Sequence, residues 1–177
     1  MWEGGLYNYL EAAAFGGQCL GLQMGDEQQS NLGDGNKNQT LYGGNHIRVF
    51  KQETSGAFFL SSSTEEDSTR NHALGLNAYD NGRDFFIGNA TNVVIEGHPD
   101  TNTTFTGEIS KRGWKYRTTV NYVDDLVPAN KSRWNHYVGV QAIGGGVSDG
   151  LVAVLTVQVA RDDPVNWGQW VWSILGL

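Results

Sequence analysis

Trp114-Lys115-Tyr116-Arg117-Thr118-Thr119-Val120-Asn121-Tyr122 is the stretch that decides the fold. Trp114, Tyr116, Thr118, Val120 and Tyr122 share one parity, and Lys115, Arg117, Thr119 and Asn121 share the other. A period of two puts the first set on one face of a strand and the second in water. Upstream, Phe105 and Ile109 alternate with Thr104, Thr106 and Glu108, although Gly107 interrupts the apolar face. Between the two arms stands Lys111-Arg112-Gly113. The pattern predicts a β-hairpin with arms 103–110 and 114–122 and one wet face.

Working outward, the region C-terminal to this hairpin is the most apolar. Tyr137–Ile143, Leu151–Ala160 and about Gln169–Leu175 read as strands, with Gly144 to Gly150 as a loop between the first two. Asp124–Arg133, which contains Pro128, reads as a connection. On the N-terminal side, two stretches resemble each other. Asn45-His46-Ile47-Arg48-Val49-Phe50, the turn Glu53–Gly56 and Phe58-Phe59 form the first. Asn71-His72-Ala73-Leu74-Gly75-Leu76, the turn Asp80-Asn81-Gly82 and Phe85-Phe86 form the second. Asn-Gly between apolar runs is a strong hairpin signal, because both residues tolerate the positive φ of a type I′ turn. Two successive hairpins are expected here, with the turn near Asn81 and the loop near Gly145 facing outward.

The first residues differ. Leu6, Tyr9, Leu10, Ala13 and Ala14 have helical spacing, and Gly16-Gly17 would end the helix. The expected organisation is an N-terminal helical docking segment, 1–22, followed by a single β-domain, 23–177. The expected fold is all-β: an antiparallel β-sandwich or jelly-roll-like double sheet of about eight to eleven short strands with one short N-terminal helix. A segment this short is marginal alone in water. Trp2, Leu6, Tyr7, Tyr9 and Leu10 are therefore expected to contact other subunits.

Charge and composition narrow the function. The 177 residues carry a formal net charge of −7, which disfavours nucleic acid and anionic membrane surfaces. Lys111, Arg112, Lys115 and Arg117 are the nearest thing to a basic patch, and they flank a turn. With one cysteine, Cys19, no intramolecular disulfide can form. Met1-Trp2-Glu3-Gly4-Gly5 has neither a basic n-region nor a long apolar run, so synthesis in the cytoplasm without a signal peptide is expected.

No catalytic set assembles in the sequence. His46, His72, His98 and His136 lack metal-ligand spacing, and no metal or other cofactor is expected. Asp34–Asn45 opens like a calcium loop, but Gln39 stands where the loop needs glycine and Asn45 where it needs glutamate. The acidic pairs Asp124-Asp125 and Asp162-Asp163 fall in turns; a hydrolase using Asp162 or Asp163 is the weakest of the readings. Gly-x-Ser-x-Gly and a phosphate loop are absent.

Aromatic residues are the remaining signal. Trp167, Trp170 and Trp172 crowd the C-terminal strand, and indoles fill cores or recognise sugars, lipids and proteins. The binding candidates are Trp167, Trp170 and Trp172, with Asn81 and Asp149 at loop tips. Val138-Gly139-Val140-Gln141-Ala142, Ser148-Asp149-Gly150, Ala153-Val154-Leu155, Val159, Asn166-Trp167 and Trp170 resemble the central hairpin and aromatic segment of actinoporin-like cytolysins. The resemblance, over residues 138–170, implies a phosphocholine pocket after the hairpin and a membrane-inserting helix before it. The family's Pro-aromatic-Asp step is here Ala160-Arg161-Asp162-Asp163-Pro164, which puts the pocket in doubt. The leading expectation is a non-enzymatic structural or host-recognition component of a virion, such as a phage tail, fibre or capsid-decorating protein. It would self-associate and contact other virion proteins, with a cell-surface glycan or lipid as a further partner. The alternative is a sugar- or lipid-binding module, including an actinoporin-like membrane-active protein.

Overall fold

The computed structural model describes residues 3–13, 20–21, 44–51, 58–66, 68–70, 73–129, 148–161 and 168–175. Among the described residues seven strands form in chain order: β1 (Leu20–Gly21), β2 (Gly44–Lys51), β3 (Phe58–Glu65), β4 (Thr104–Lys111), β5 (Trp114–Val123), β6 (Val152–Arg161) and β7 (Gly168–Leu175). Two helices accompany them, α1 (Glu3–Ala12) and α2 (Ala78–Thr91), with a short 3-10 turn at Ser68–Arg70. The protein is thus mostly strand, with few short helices.

The β4–β5 hairpin forms as its sequence predicts. Lys111 pairs with Trp114. The two residues between them, Arg112 (φ 52°) and Gly113 (φ 76°), both have positive φ, which suits the right-handed twist of a two-residue hairpin. Tyr116, Thr118, Val120 and Tyr122 are buried, while Lys115, Arg117, Asn121 and Val123 are exposed. Across the hairpin, Arg117 donates to Glu108 at 2.8 Å on the wet face.

The strands hydrogen-bond in the order β1-β2-β3-β7-β6-β5-β4. Most neighbours are antiparallel, but β1 runs parallel to β2, and β3 runs parallel to β7. The all-β fold with a short N-terminal helix forms as expected; the described strands follow one hydrogen-bonded order, and α1 and α2 pack on its buried face. The predicted strand at 137–143 and the turn at 53–56 lie outside the described residues, as does most of the 34–45 loop.

A first correction concerns Asn81-Gly82. These residues are not a hairpin turn but part of α2. Ala78, Tyr79, Gly82, Arg83, Phe86, Ile87, Ala90 and Thr91 are buried at helical spacing, so one stripe of α2 faces the sheet. Gly82 serves close packing here: a Cβ on it would overlap the β3 backbone at Ser62–Ser63. Asn92 ends the helix in the left-handed conformation (φ 56°), its N–H donating to Gly88 O. The apparent repeat therefore dissolves, since β2 and β3 pair as antiparallel strands while residues 78–91 form a helix.

The helix also reveals the shape of the sheet. Its Gly82 end lies on β3, and its Thr91 end lies on β4, where a Cβ on Gly107 would overlap the Thr91 carbonyl. In the sheet β3 and β4 are separated by β7, β6 and β5. Four strand spacings in a flat sheet would span about 19 Å. Nine helical residues advance only ~13.5 Å. Curling of the sheet toward α2 brings both contacts within that length.

The second correction is at the N-terminus. Leu6, Tyr9 and Leu10 are buried in the chain's own core, packed with Ile47, Leu60, Phe86, Tyr116 and Leu155. The Tyr9 hydroxyl is 2.8 Å from Thr118 Oγ1 on β5, and its ring meets Phe86 edge-on, with centroids 6.2 Å apart. These three residues are not available to another subunit. The physical reason is that α2 covers only part of the buried face of the sheet, and α1 packs beside it, its Tyr9 meeting Phe86, Tyr116 and Thr118. The segment 1–22 is thus no separate docking arm over its described part. Tyr7 lies on α1, and Trp2 lies outside the described residues.

Candidate functional site

Arg83 is fully buried at the sheet-facing side of α2. A buried guanidinium is stable only when its donors are satisfied and its charge is matched. Both conditions hold. Nε donates to Asp84 Oδ1 at 2.8 Å. Nη1 donates to Asp149 Oδ1 at 2.7 Å and to the Leu151 carbonyl at 3.0 Å. Nη2 donates to Asp149 Oδ2 at 3.0 Å and to Asp84 Oδ2 at 3.3 Å. These contacts occupy all of the donors that a guanidinium has. The Tyr122 ring lies 5.2 Å from the guanidinium carbon, and the Tyr122 hydroxyl donates to Asp84 Oδ1 at 3.4 Å.

The same cluster fixes the loop before β6. Asp80 Oδ1 accepts the Asp149 N–H at 2.8 Å, and Asp149 Oδ1 accepts the Leu151 N–H at 2.8 Å. Ser148 Oγ accepts the Gly150 N–H at 3.1 Å. Asp149 is therefore not a free tip residue; its carboxylate is one jaw of a clamp that joins α2 to the sheet. Asn81 follows Asp80 directly, so Asn81 and Asp149 come to the same end of α2.

Three carboxyl groups surround one cation. Burial pushes the Asp80 carboxyl up to about 7, and the Asp149 charge pushes the same way against the Asp149 N–H and Arg83. Asp149 goes the opposite way: burial would raise it, but the hydrogen bonds and charge of Arg83 hold it below the usual carboxylate range. The proton between them therefore resides on Asp80. An acid with a raised folded-state value binds its proton more tightly when folded, so the stability it provides is full below about pH 4 and is lost as pH rises through about 7. The Asp149 contribution is lost in the other direction, as pH falls below the carboxylate range. Asp80→Asn keeps the oxygen that accepts the Asp149 N–H and removes the titration. It is expected to raise stability at pH 8 by roughly 1–2 kcal/mol and to flatten the fall between pH 5 and 8. Thermal melts of both proteins across that range check this; parallel profiles would contradict it.

On its solvent side α2 forms one wall of a groove of ≈ 460 Å³. Asn81, Asp84, Phe85, Asn89 and Asn92 line that wall, with Gly88 between them. Spacings of three and four residues put them on one helical stripe. Residues 93–97 leave the helix cap and supply the other wall through Val93, Val94, Ile95 and Gly97. Gly88 lets them lie close, since a Cβ there would sit 3.1 Å from the Val93 carbonyl oxygen. Phe85 is 47% exposed and Val94 81%. Asn89 Nδ2 is buried without a hydrogen-bond partner among the described residues. An amide left so costs about 1–3 kcal/mol.

Of the residues singled out from sequence, Asn81 lines this groove and Asp149 belongs to the clamp behind it. Trp170 and Trp172 stand on β7 at register positions opposite Val157 and Leu155, and Trp167 lies outside the described residues. In the actinoporin-like stretch, only the 148–161 and 168–170 portions are described. Arg83, Asp84, Phe85, Asn89 and Asn92 were not foreseen. Their signal is a stripe at helical spacing, hidden by the Asn-Gly pair. Among the described residues no three His, Cys, Asp or Glu side chains are grouped to hold a metal ion, and no helix is long and apolar enough to cross a membrane. No family model, no curated protein and no solved structure matches the chain.

Proposed function

We propose that this chain is a non-enzymatic structural or host-recognition component of a virion, which self-associates and presents the outer face of α2 to a partner. The observation that carries the recognition part is the groove itself. An exposed helix face with an aromatic ring, amides and apolar lips stands on a support held rigid by the Arg83 clamp. Pockets of about 300–1,000 Å³ with a few placed polar groups are the usual form of a ligand site. The clamp gives a reason for setting catalysis aside: both oxygens of Asp84 and of Asp149 accept from Arg83. Carboxylates so engaged hold a fold together more readily than they move a substrate proton. The acidic, glycine-rich composition and the abundance of Asn and Thr support the virion setting.

Assembly must use surfaces other than Leu6, Tyr9 and Leu10, which are enclosed. Leu76, Phe85, Val94 and Leu126 remain exposed on the described surface. Size-exclusion chromatography with light scattering at high protein concentration tests this. A discrete symmetric oligomer is the expected result. A monomer at every concentration would overturn the assembly part of the proposal.

A further inference from the structure

We infer that the groove between α2 and residues 93–97 binds a neutral saccharide, with Phe85 as the stacking surface and Asn89 as a hydrogen-bonding group. This rests on reading the groove as a recognition surface and names its ligand class. The lining decides the class. Among the described residues it holds no lysine, arginine or histidine, so none of these answers a phosphate, sulfate or carboxylate. Its one carboxylate, Asp84, is already held by Arg83 through both oxygens, so it does not call for a cationic ligand. What remains is a half-exposed aromatic ring, apolar lips at Val94 and Ile95, and the amides of Asn81, Asn89 and Asn92. That combination of an apolar face with paired donors and acceptors matches a pyranose, which offers C–H faces and hydroxyls together. A peptide strand fits less well, because one wall is a helix whose backbone groups are used internally.

Asn89 adds an independent argument. Its Nδ2 is buried with no hydrogen-bond partner among the described residues. A turn of the side chain toward the groove lets a ligand hydroxyl accept from it. Asn81 has one amide hydrogen on the Leu76 carbonyl at 3.0 Å, which fixes the side chain at the groove's far end. From Asn81 to Asn92 the helix advances about 16 Å, enough for a short oligosaccharide laid along it.

The test uses the full chain on an array of neutral and acidic glycans, followed by calorimetric titration with maltopentaose, mannopentaose and the pentamer of N-acetylglucosamine. Binding of at least one neutral glycan is expected, with Phe85→Ala weakening it about 10-fold or more. Asn89→Ala should weaken it too without lowering the melting temperature, since the buried Nδ2 has no hydrogen-bond partner among the described residues. Phe85→Ala is also expected to fold, because the ring is on the surface. Retention of no glycan, retention of acidic glycans alone, or binding unchanged by both substitutions would overturn the inference. An oligomer that binds no glycan would leave the assembly proposal standing and remove this one; a monomer that binds through Phe85 would do the reverse.

Discussion

Arg83→Met is expected to destabilise the protein by about 3–5 kcal/mol at neutral pH, enough to unfold a marginal domain. Among the described residues the Arg83 guanidinium is the group that satisfies Asp84 and Asp149 together, and its loss leaves two carboxylates without their cation beside the buried stripe of α2. The cost lies mainly in those uncompensated charges. Arg83→Met combined with Asp84→Asn and Asp149→Asn should therefore recover much of the loss. Urea unfolding of the three proteins reads this directly. A single substitution that costs under 1 kcal/mol, or a triple variant no better than the single one, would contradict the clamp.

The second large effect is at Gly107. In sequence it interrupts the apolar face of β4, and in the structure it is the seat of the Thr91 carbonyl. Gly107→Ala places a methyl group where that oxygen lies. Since the obstacle is backbone on both sides, α2 and β4 must separate, at about 2–3 kcal/mol. An alanine in an open strand would be neutral or slightly stabilising, because glycine loses more freedom on folding. The sign of the change thus decides whether the sheet really curls onto α2. A higher melting temperature for Gly107→Ala would show that it does not.

These two residues also show what could be read from sequence. The β4–β5 hairpin was legible because one face is wet: alternation of Tyr, Thr and Val with Lys, Arg and Asn leaves a period-two trace. Much of β6 and β7 was legible as apolar runs, and α1 as a helix. Its role was not, because a short amphipathic helix looks the same whether it closes its own core or docks on a neighbour. For α2 the local signal pointed the wrong way. Its buried stripe contains Gly82 and Arg83, which hydrophobic periodicity counts as gaps, and Asn81-Gly82 is favoured in a tight turn. Tertiary packing outweighed that preference: glycine admits the β3 backbone, and arginine is matched by carboxylates. One of those, Asp149, stands 66 residues further along the chain. No local pattern records such a pairing, nor the parallel contact of β3 with β7, which joins segments near opposite ends of the β-region. Asn81 and Asp149 were picked out as turn residues, and both stand at one end of α2 for reasons of packing instead.

The most direct test of the recognition site is a map of ligand contacts on the folded chain. Backbone amide resonances of the isotope-labelled protein would be followed by NMR while the tightest-binding neutral pentasaccharide of the panel is added. Shifts concentrated in residues 81–97, and diminished in Phe85→Ala, are the expected result. Shifts concentrated at Trp170 and Trp172 on β7, with residues 81–97 unmoved, would place recognition elsewhere and contradict it.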